Sequence, residues 1–269
     1  MQGKLVIIEG IDGSGKTVQS HLLVERLVKK GYQAKMADFP QYGKSFFANM
    51  IERYLKGEFG WPQELKDHLK KYHLPSESVN IISPSGIQPE KPIVANSEEE
   101  NEPKPEEVNP YLSSLLYAGD RWEMKGQMNK WIDEGVIIIS NRYTCSNMAH
   151  QGAKIRDTKE RNIFFEWIED LEYKVYAIPK PDMVIYLHVP IEVSQELIKV
   201  KIKGERGFKS KIDMHELDVD YLKRVQDVYI DIAQKDNSWV TIDCSKNNQI
   251  LTKEEIAEKL WNVISKILN

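Results

Sequence analysis

Leu5-Val-Ile-Ile-Glu-Gly-Ile-Asp-Gly-Ser-Gly-Lys-Thr17 is the stretch from which the rest of this 269-residue chain can be organised. Leu5–Ile8 is a compact apolar run of the kind a buried parallel strand shows. It is too short to be the core of a secretion signal or to span a bilayer. The run feeds directly into a glycine-rich turn. Beyond the turn, from Ser20 to Lys30, Leu22, Leu23 and Leu27 recur at helical spacing, and Gly31 is placed to stop that helix.

The turn matches G-x-x-x-x-G-K-[ST] at Gly10, Gly15, Lys16 and Thr17. Glycines let the backbone wrap closely around phosphate oxygens, so that Gly10, Ile11, Asp12, Gly13, Ser14 and Gly15 form the cradle. The following helix adds the positive end of its dipole. Lys16 reaches the β- and γ-phosphates, and the Thr17 hydroxyl is a Mg²⁺ ligand. Strand, turn and helix in this order are the context such a phosphate loop requires, and the ligand implied is a nucleoside triphosphate.

Other apolar runs extend the pattern. Gln33–Asp38, Val136–Ile139, Met183–Val189 and Trp239–Ile242 are further strand candidates. Helical spacing marks roughly 44–57, 110–133, 159–172, 192–203, 214–235 and 253–267. Strands alternating with helices predict an α/β chain: a P-loop NTPase fold, with a five-stranded parallel sheet covered on both faces.

Residues 61–107 break the pattern. They hold seven of the chain's 12 prolines, and Ser97–Glu107 carries six glutamates against one lysine. Proline removes backbone donors and like charges repel, so this stretch is expected to be a solvated insertion in a single domain spanning 1–269. A short helix near Leu65–Tyr72 is expected within it.

Bulk properties narrow the function. A net charge of −4 lacks the basic excess of a nucleic-acid coat. Cys145 and Cys244 form neither a disulfide framework nor a zinc cluster, and a soluble, cytoplasmic, membrane-free protein is expected. A phosphate loop alone leaves kinase, GTPase, motor and helicase open. There is no Asn-Lys-x-Asp base-reading motif, and a short acidic chain argues against a motor.

Several separated stretches together resemble the thymidylate kinases, which move the γ-phosphoryl of ATP onto dTMP. They are Glu9–Gln19, Phe39-Pro-Gln-Tyr-Gly43, Leu116-Tyr-Ala-Gly-Asp-Arg121, Arg142-Tyr-Thr-Cys-Ser-Asn147, Pro179-Lys-Pro-Asp182 and Asp213-Met-His-Glu216. The resemblance implies that Phe39 stacks on the thymine ring and Arg121 hydrogen-bonds the base. It places Asn147 and Gln151 at base and sugar, Tyr42 near the acceptor phosphate and Asp12 at the sugar 3′-hydroxyl or a metal-bound water. Arg142 stands just past a strand end, where open α/β sheets bind ligands, and the resemblance implies that it takes the acceptor phosphate. ATP with Mg²⁺ is the implied donor and a homodimer the implied assembly.

Family members carry a transition-state arginine either in the phosphate loop or in a mobile lid. Position 13 is Gly, so the lid, about 199–213, is expected to donate Arg206, which lysines 199, 201, 203, 209 and 211 surround. The catalytic set expected is therefore Lys16, Arg142, Arg206 and Asp12.

The chain departs from the family in having Asn141 before Arg142 where an acid is usual. His150 and Gln41 are milder departures. Asn141 still offers a carbonyl oxygen, so Thr17 and Asn141 are the candidate Mg²⁺ ligands. Loss of the acid leaves a rival reading: a catalytically weakened nucleotide-binding homologue with a regulatory role. A kinase for another pyrimidine monophosphate is a third.

Overall fold

A computed structural model describes residues 3–56, 108–204, 218–247 and 249–268, with backbone alone over 199–204. Its centre is a parallel sheet of five strands: β1 (Lys4–Glu9), β2 (Ala34–Asp38), β3 (Ile137–Asn141), β4 (Met183–His188) and β5 (Trp239–Asp243), in the order β2-β3-β1-β4-β5. The expected fold class and strand count are both met. β1 lies between β3 and β4, so the sheet grows in opposite directions from it. That reversal opens a crevice at the carboxyl ends of the central strands.

Alternate residues of each strand feed two cores, which is why the strand sequences are apolar without a break. Val6, Ile8, Ile139 and Leu187 face α1 (Lys16–Lys29) and α8 (Lys253–Ile264), meeting Leu23, Leu27, Ile256 and Leu260. Leu5, Ile7, Ile138 and Tyr186 face the other way. There they pack with Met128 of α3 (Pro110–Asp133), Met148 of α4 (Thr144–Gly152), Phe164 of α5 (Thr158–Glu169) and Val225 of α7 (Val219–Lys235). Each such fully buried side chain contributes about 1.5–3 kcal/mol by leaving water.

Several helix bounds differ from expectation for local reasons. α1 begins at Lys16 rather than Ser20, because the glycine turn leads straight into it. α2 (Phe46–Leu55) starts after Ser45, whose hydroxyl accepts from Ala48 N. The helix expected over 159–172 ends at Glu169 and continues as a π-helical turn, Asp170–Val175. The helix expected over 192–203 is α6 (Ile191–Gly204). Of the segment 214–235, residues 214–217 lie outside the described residues, as do most of the lid and residues 57–107, which contain the expected insertion and its short helix.

Two elements carry no periodicity that predicts them: α4 and the small β6–β7 hairpin (Ser245–Lys246 with Gln249–Ile250). All of α4 except His150 is buried, and six of its nine residues are polar or glycine. A helix enclosed on nearly all sides has no apolar stripe to read. Cys145 and Cys244 are buried and unpaired. No described helix is long and apolar enough to cross a membrane.

Candidate active site

The phosphate loop joins β1 to α1. Gly15 occupies the N-cap of α1 at φ 83°, and no side chain caps the helix. Its first-turn N–H groups are thus left for an anion. Lys16 is buried, and its Nζ donates to the carbonyls of Gly10 and Ile11, each at 2.8 Å. It lies 3.8 Å from Asp12 Oδ1. The lysine folds back over its own loop, where its ammonium would meet incoming phosphate oxygens.

α6 presses directly on this loop. Ser194 Oγ donates to the Asp12 carbonyl. A Cβ built on Gly13 would lie 2.7 Å from the Ser194 carbonyl oxygen and 3.1 Å from Ile198 Cγ1. With φ at 79°, position 13 admits glycine for both conformation and space. The absence of an arginine there has a steric cause.

Glu9, at the end of β1, organises the opposite wall. It is fully buried and accepts from the backbone N–H groups of Tyr143 and Ser146 at 2.9 and 3.0 Å, and from Ser146 Oγ and Tyr229 OH at 2.6 and 2.8 Å. The residue at the N-cap of α4, Tyr143, offers no side-chain cap, so Glu9 caps that helix from another strand. Between β3 and α4 the chain turns at Arg142, which adopts φ 65°. A non-glycine residue in that region marks a turn held in place by its surroundings.

The Arg142 guanidinium pairs closely with Asp12. It also lies 3.3 Å from Ser146 Oγ and 3.2 Å from His150 Nε2. Burial opposes its charge, but Asp12, Tyr229, Glu9 and Tyr42 together raise its pKa above the ordinary arginine value. The cation is therefore fixed beside the phosphate loop.

A cleft of about 600 Å³, partly open to solvent, lies beside this pair. Asp12, Phe39, Tyr42, Arg121, Arg142, Asn147 and Gln151 all line it, so every residue expected to touch the acceptor converges on one space. Phe39 is buried, tilted against Tyr143, and the Phe39–Pro40 peptide is cis. The loop after it is latched by Asp120, which accepts from Gln41 N at 2.9 Å, from Gln41 Nε2 and from Ser45 Oγ. Burial raises the Asp120 pKa against those lowering hydrogen bonds.

Arg121 is held from behind. Glu172, fully buried in the π-helical turn, takes its Nε and Nη2, the latter at 2.6 Å. Glu172 also accepts from Thr144 Oγ1 at 2.9 Å and Asn147 Nδ2 at 3.4 Å. Asn147 Oδ1 is buried with no partner, whereas Gln151 Oε1 accepts from Ser113 Oγ at 2.7 Å.

At the carboxyl ends of β2 and β3, Asn141 Nδ2 donates to Asp38 Oδ1 at 2.7 Å and to Thr17 Oγ1 at 3.2 Å. Asn141 Oδ1 is buried and unpartnered. A hydroxyl, an amide oxygen and a carboxylate are the hard donors Mg²⁺ takes. Asn141 turns Nδ2 to Thr17 and Asp38, and a half-turn of its carboxamide would bring the orphaned Oδ1 to that side and fit the set to the ion.

Arg206 lies outside the described residues, as does Asp213–Glu216. Pro179 and Asp182 serve structure: Pro179 O accepts from Tyr143 OH, and Asp182 binds Leu5 N and Lys4 Nζ. Sequence reasoning assigned no role to Glu9, Asp38 or Glu172, and did not single out Ser146 or the cleft-lining Tyr221. Glu9 had a usable signal, an acid closing an apolar strand. Glu172 stands among other acids on an amphipathic helix and had none.

A phosphate loop at a switch point, with an arginine-lined acceptor cleft beside it, defines the class of P-loop nucleoside monophosphate kinases. A sequence model of the family described as Thymidylate kinase matches residues 8–68 and 89–256, and the chain belongs to that family. The unmatched interval, 69–88, falls within the expected insertion. The chain is 24% identical over 268 residues to the thymidylate kinase of Schizosaccharomyces pombe, covering 99% of this chain and 93% of that protein. It is 28% identical to probable thymidylate kinase 1 of Saccharolobus solfataricus, covering 98% of each. The solved thymidylate kinase of Candida albicans shares the fold, with a TM-score of 0.64 and 20% identity over 98% of this chain and 92% of that one.

Proposed function

We propose that this chain transfers the γ-phosphoryl of ATP to dTMP, giving ADP and dTDP on the route to dTTP. The observation that carries the reading is the convergence of the acceptor-site residues on one cleft beside the phosphate loop. Lys16 and the loop N–H groups hold the donor's β- and γ-phosphates, and Arg142, fixed by Asp12, holds the acceptor phosphate in line with them. Phe39 stacks on the base. Arg121 turns its Nη1 toward a pyrimidine carbonyl, since Glu172 occupies the other edge, and the orphaned Asn147 Oδ1 accepts from a base or sugar donor. Asp12 reaches the sugar 3′-hydroxyl, and Gln151 and Tyr42 complete the wall.

Thr17 and Asn141 would hold Mg²⁺, which would supply charge neutralisation on the donor's phosphates. A lid over about 199–213 brings Arg206 to the transferring phosphoryl. Two buried, unpaired cysteines are in keeping with a cytoplasmic setting.

An ADP-release assay with ATP·Mg²⁺ against dTMP, dUMP, dCMP, UMP and thymidine tests the reaction. Turnover on dTMP is expected to exceed that on dUMP by about tenfold or more in kcat/KM, the usual worth of one methyl group in an apolar pocket. ATP binding with no turnover on any acceptor would return the chain to the regulatory reading.

A homodimer is proposed through α3 and α2. Leu112, Leu115 and Trp122 lie within one face of α3 and are exposed, as is Phe46 on the adjoining α2. Several large apolar side chains exposed on neighbouring helices are the material of a protein contact. Light scattering is expected to give twice the 31.2 kDa chain mass. Leu115→Glu with Trp122→Glu is expected to halve it; an unchanged mass would move the contact elsewhere.

A further inference from the structure

The end of β3 carries an amide where the family pattern carries an acid, and the neighbouring strand supplies what the amide lacks. Asp38 closes β2, Asn141 closes β3, and the two are register partners across the parallel ladder. A single amino group, Asn141 Nδ2, bridges the Asp38 carboxylate and the Thr17 hydroxyl. Asn141 is 6% exposed, and its Oδ1 has no partner. Asp38 is open to solvent.

The other carboxylates near the loop are committed. Glu9 is wrapped by four donors from Tyr143, Ser146 and Tyr229. Asp12 is paired with Arg142 and lies near Lys16. Asp38 accepts from the same Asn141 nitrogen that donates to Thr17. An acid at 141 would set a like charge directly across the ladder from Asp38, which is unfavourable. The amide avoids that repulsion while keeping an oxygen for a hard cation.

We propose that Asp38 supplies the carboxylate that holds the nucleotide's divalent cation, directly or through its bound water, so that the acid of this site stands on β2 instead of β3. The proposal rests on the ATP-dependent kinase reading above. Asn141 is then the neutral ligand beside Thr17. The competing account makes Asp38 a hydrogen-bond partner at a strand edge and nothing more.

The readout is the factor by which Mn²⁺ tightens ATP binding to the full chain, from titrations with Mn²⁺ and with EDTA. Asp38→Asn is expected to cut that factor about tenfold, the usual effect of losing a group that supports a metal. Metal-free ATP binding, which reports on folding, should be unchanged. Asp38→Ser should behave likewise. The exchange Asp38→Asn with Asn141→Asp should restore most of the factor, because it returns one carboxylate to the pair.

An unchanged factor in Asp38→Asn or Asp38→Ser overturns the assignment. So does an exchanged variant as weak as Asp38→Asn, or a wild-type chain that binds ATP with no response to Mn²⁺. A wild-type chain that binds no ATP under either condition removes the kinase reading itself.

Discussion

Arg206→Ala is expected to lower kcat on dTMP about a thousandfold, the scale of a transition-state arginine, while dTMP affinity changes only a few-fold. A group that meets charge on the transferring phosphoryl is used in the transition state and not in ground-state binding, so kcat and kcat/KM should fall together. The loop itself has no space to supply such a group. Gly13 sits at φ 79° under α6, and a Cβ there would be 2.7 Å from the Ser194 carbonyl, a backbone atom that cannot rotate away. Placing a side chain at a left-handed φ costs about 1–2 kcal/mol before any clash is counted.

Gly13→Arg is therefore expected to lower the melting temperature and to leave Arg206→Ala without rescue. Steady-state kinetics and thermal melts of the two single variants and the double variant check this. Unchanged turnover in Arg206→Ala would remove the lid arginine from the mechanism. Recovery of turnover in the double variant would show that α6 yields at position 13, and the steric account would fall.

The fold was legible where burial on both faces of a parallel sheet leaves an unbroken apolar run, as in Ile137–Ile139 or Val184–Leu187. Strand order was not legible, because the pairing of β1 with β3 and β4 joins residues far apart in the chain and leaves no local mark. The phosphate loop announces itself because its backbone geometry demands glycine at set positions. The acceptor cleft does not. Asn147 and Gln151 lie on α4, a helix so enclosed that no apolar stripe betrays it, and resemblance alone singled them out. Arg142's place at a strand end was legible, and the resemblance supplied its acceptor-phosphate role. Its left-handed backbone and its pairing with Asp12 needed coordinates. Glu9, Asp38 and Glu172 went unassigned because each acts through a partner distant in sequence: Tyr143, Asn141 and Arg121.

That last pair carries the largest expected effect on stability. Arg121 and Glu172 are both essentially inaccessible to solvent, at 2% and 0% exposure, and are joined through two parallel hydrogen bonds. Burial works against the charge on Arg121, and Glu172 outweighs it, holding the guanidinium's pKa above its ordinary value. Glu172→Ala strips the partner and leaves a buried cation, which costs about 3–5 kcal/mol. For a chain of this length that lowers the melting temperature by about 10 °C.

Replacing both members by apolar residues, Arg121→Leu with Glu172→Leu, removes the unpaired charge and is expected to recover most of the loss. Thr144 and Asn147 would lose an acceptor, so recovery should be incomplete. Binding should not follow stability. The double variant lacks the donor proposed for the pyrimidine carbonyl, so KM for dTMP should stay raised by about tenfold or more, the worth of a charged hydrogen bond, with kcat less affected. A variant that recovers its melting temperature and its dTMP affinity together would make Arg121 a structural cation and leave base recognition to Phe39 and Asn147.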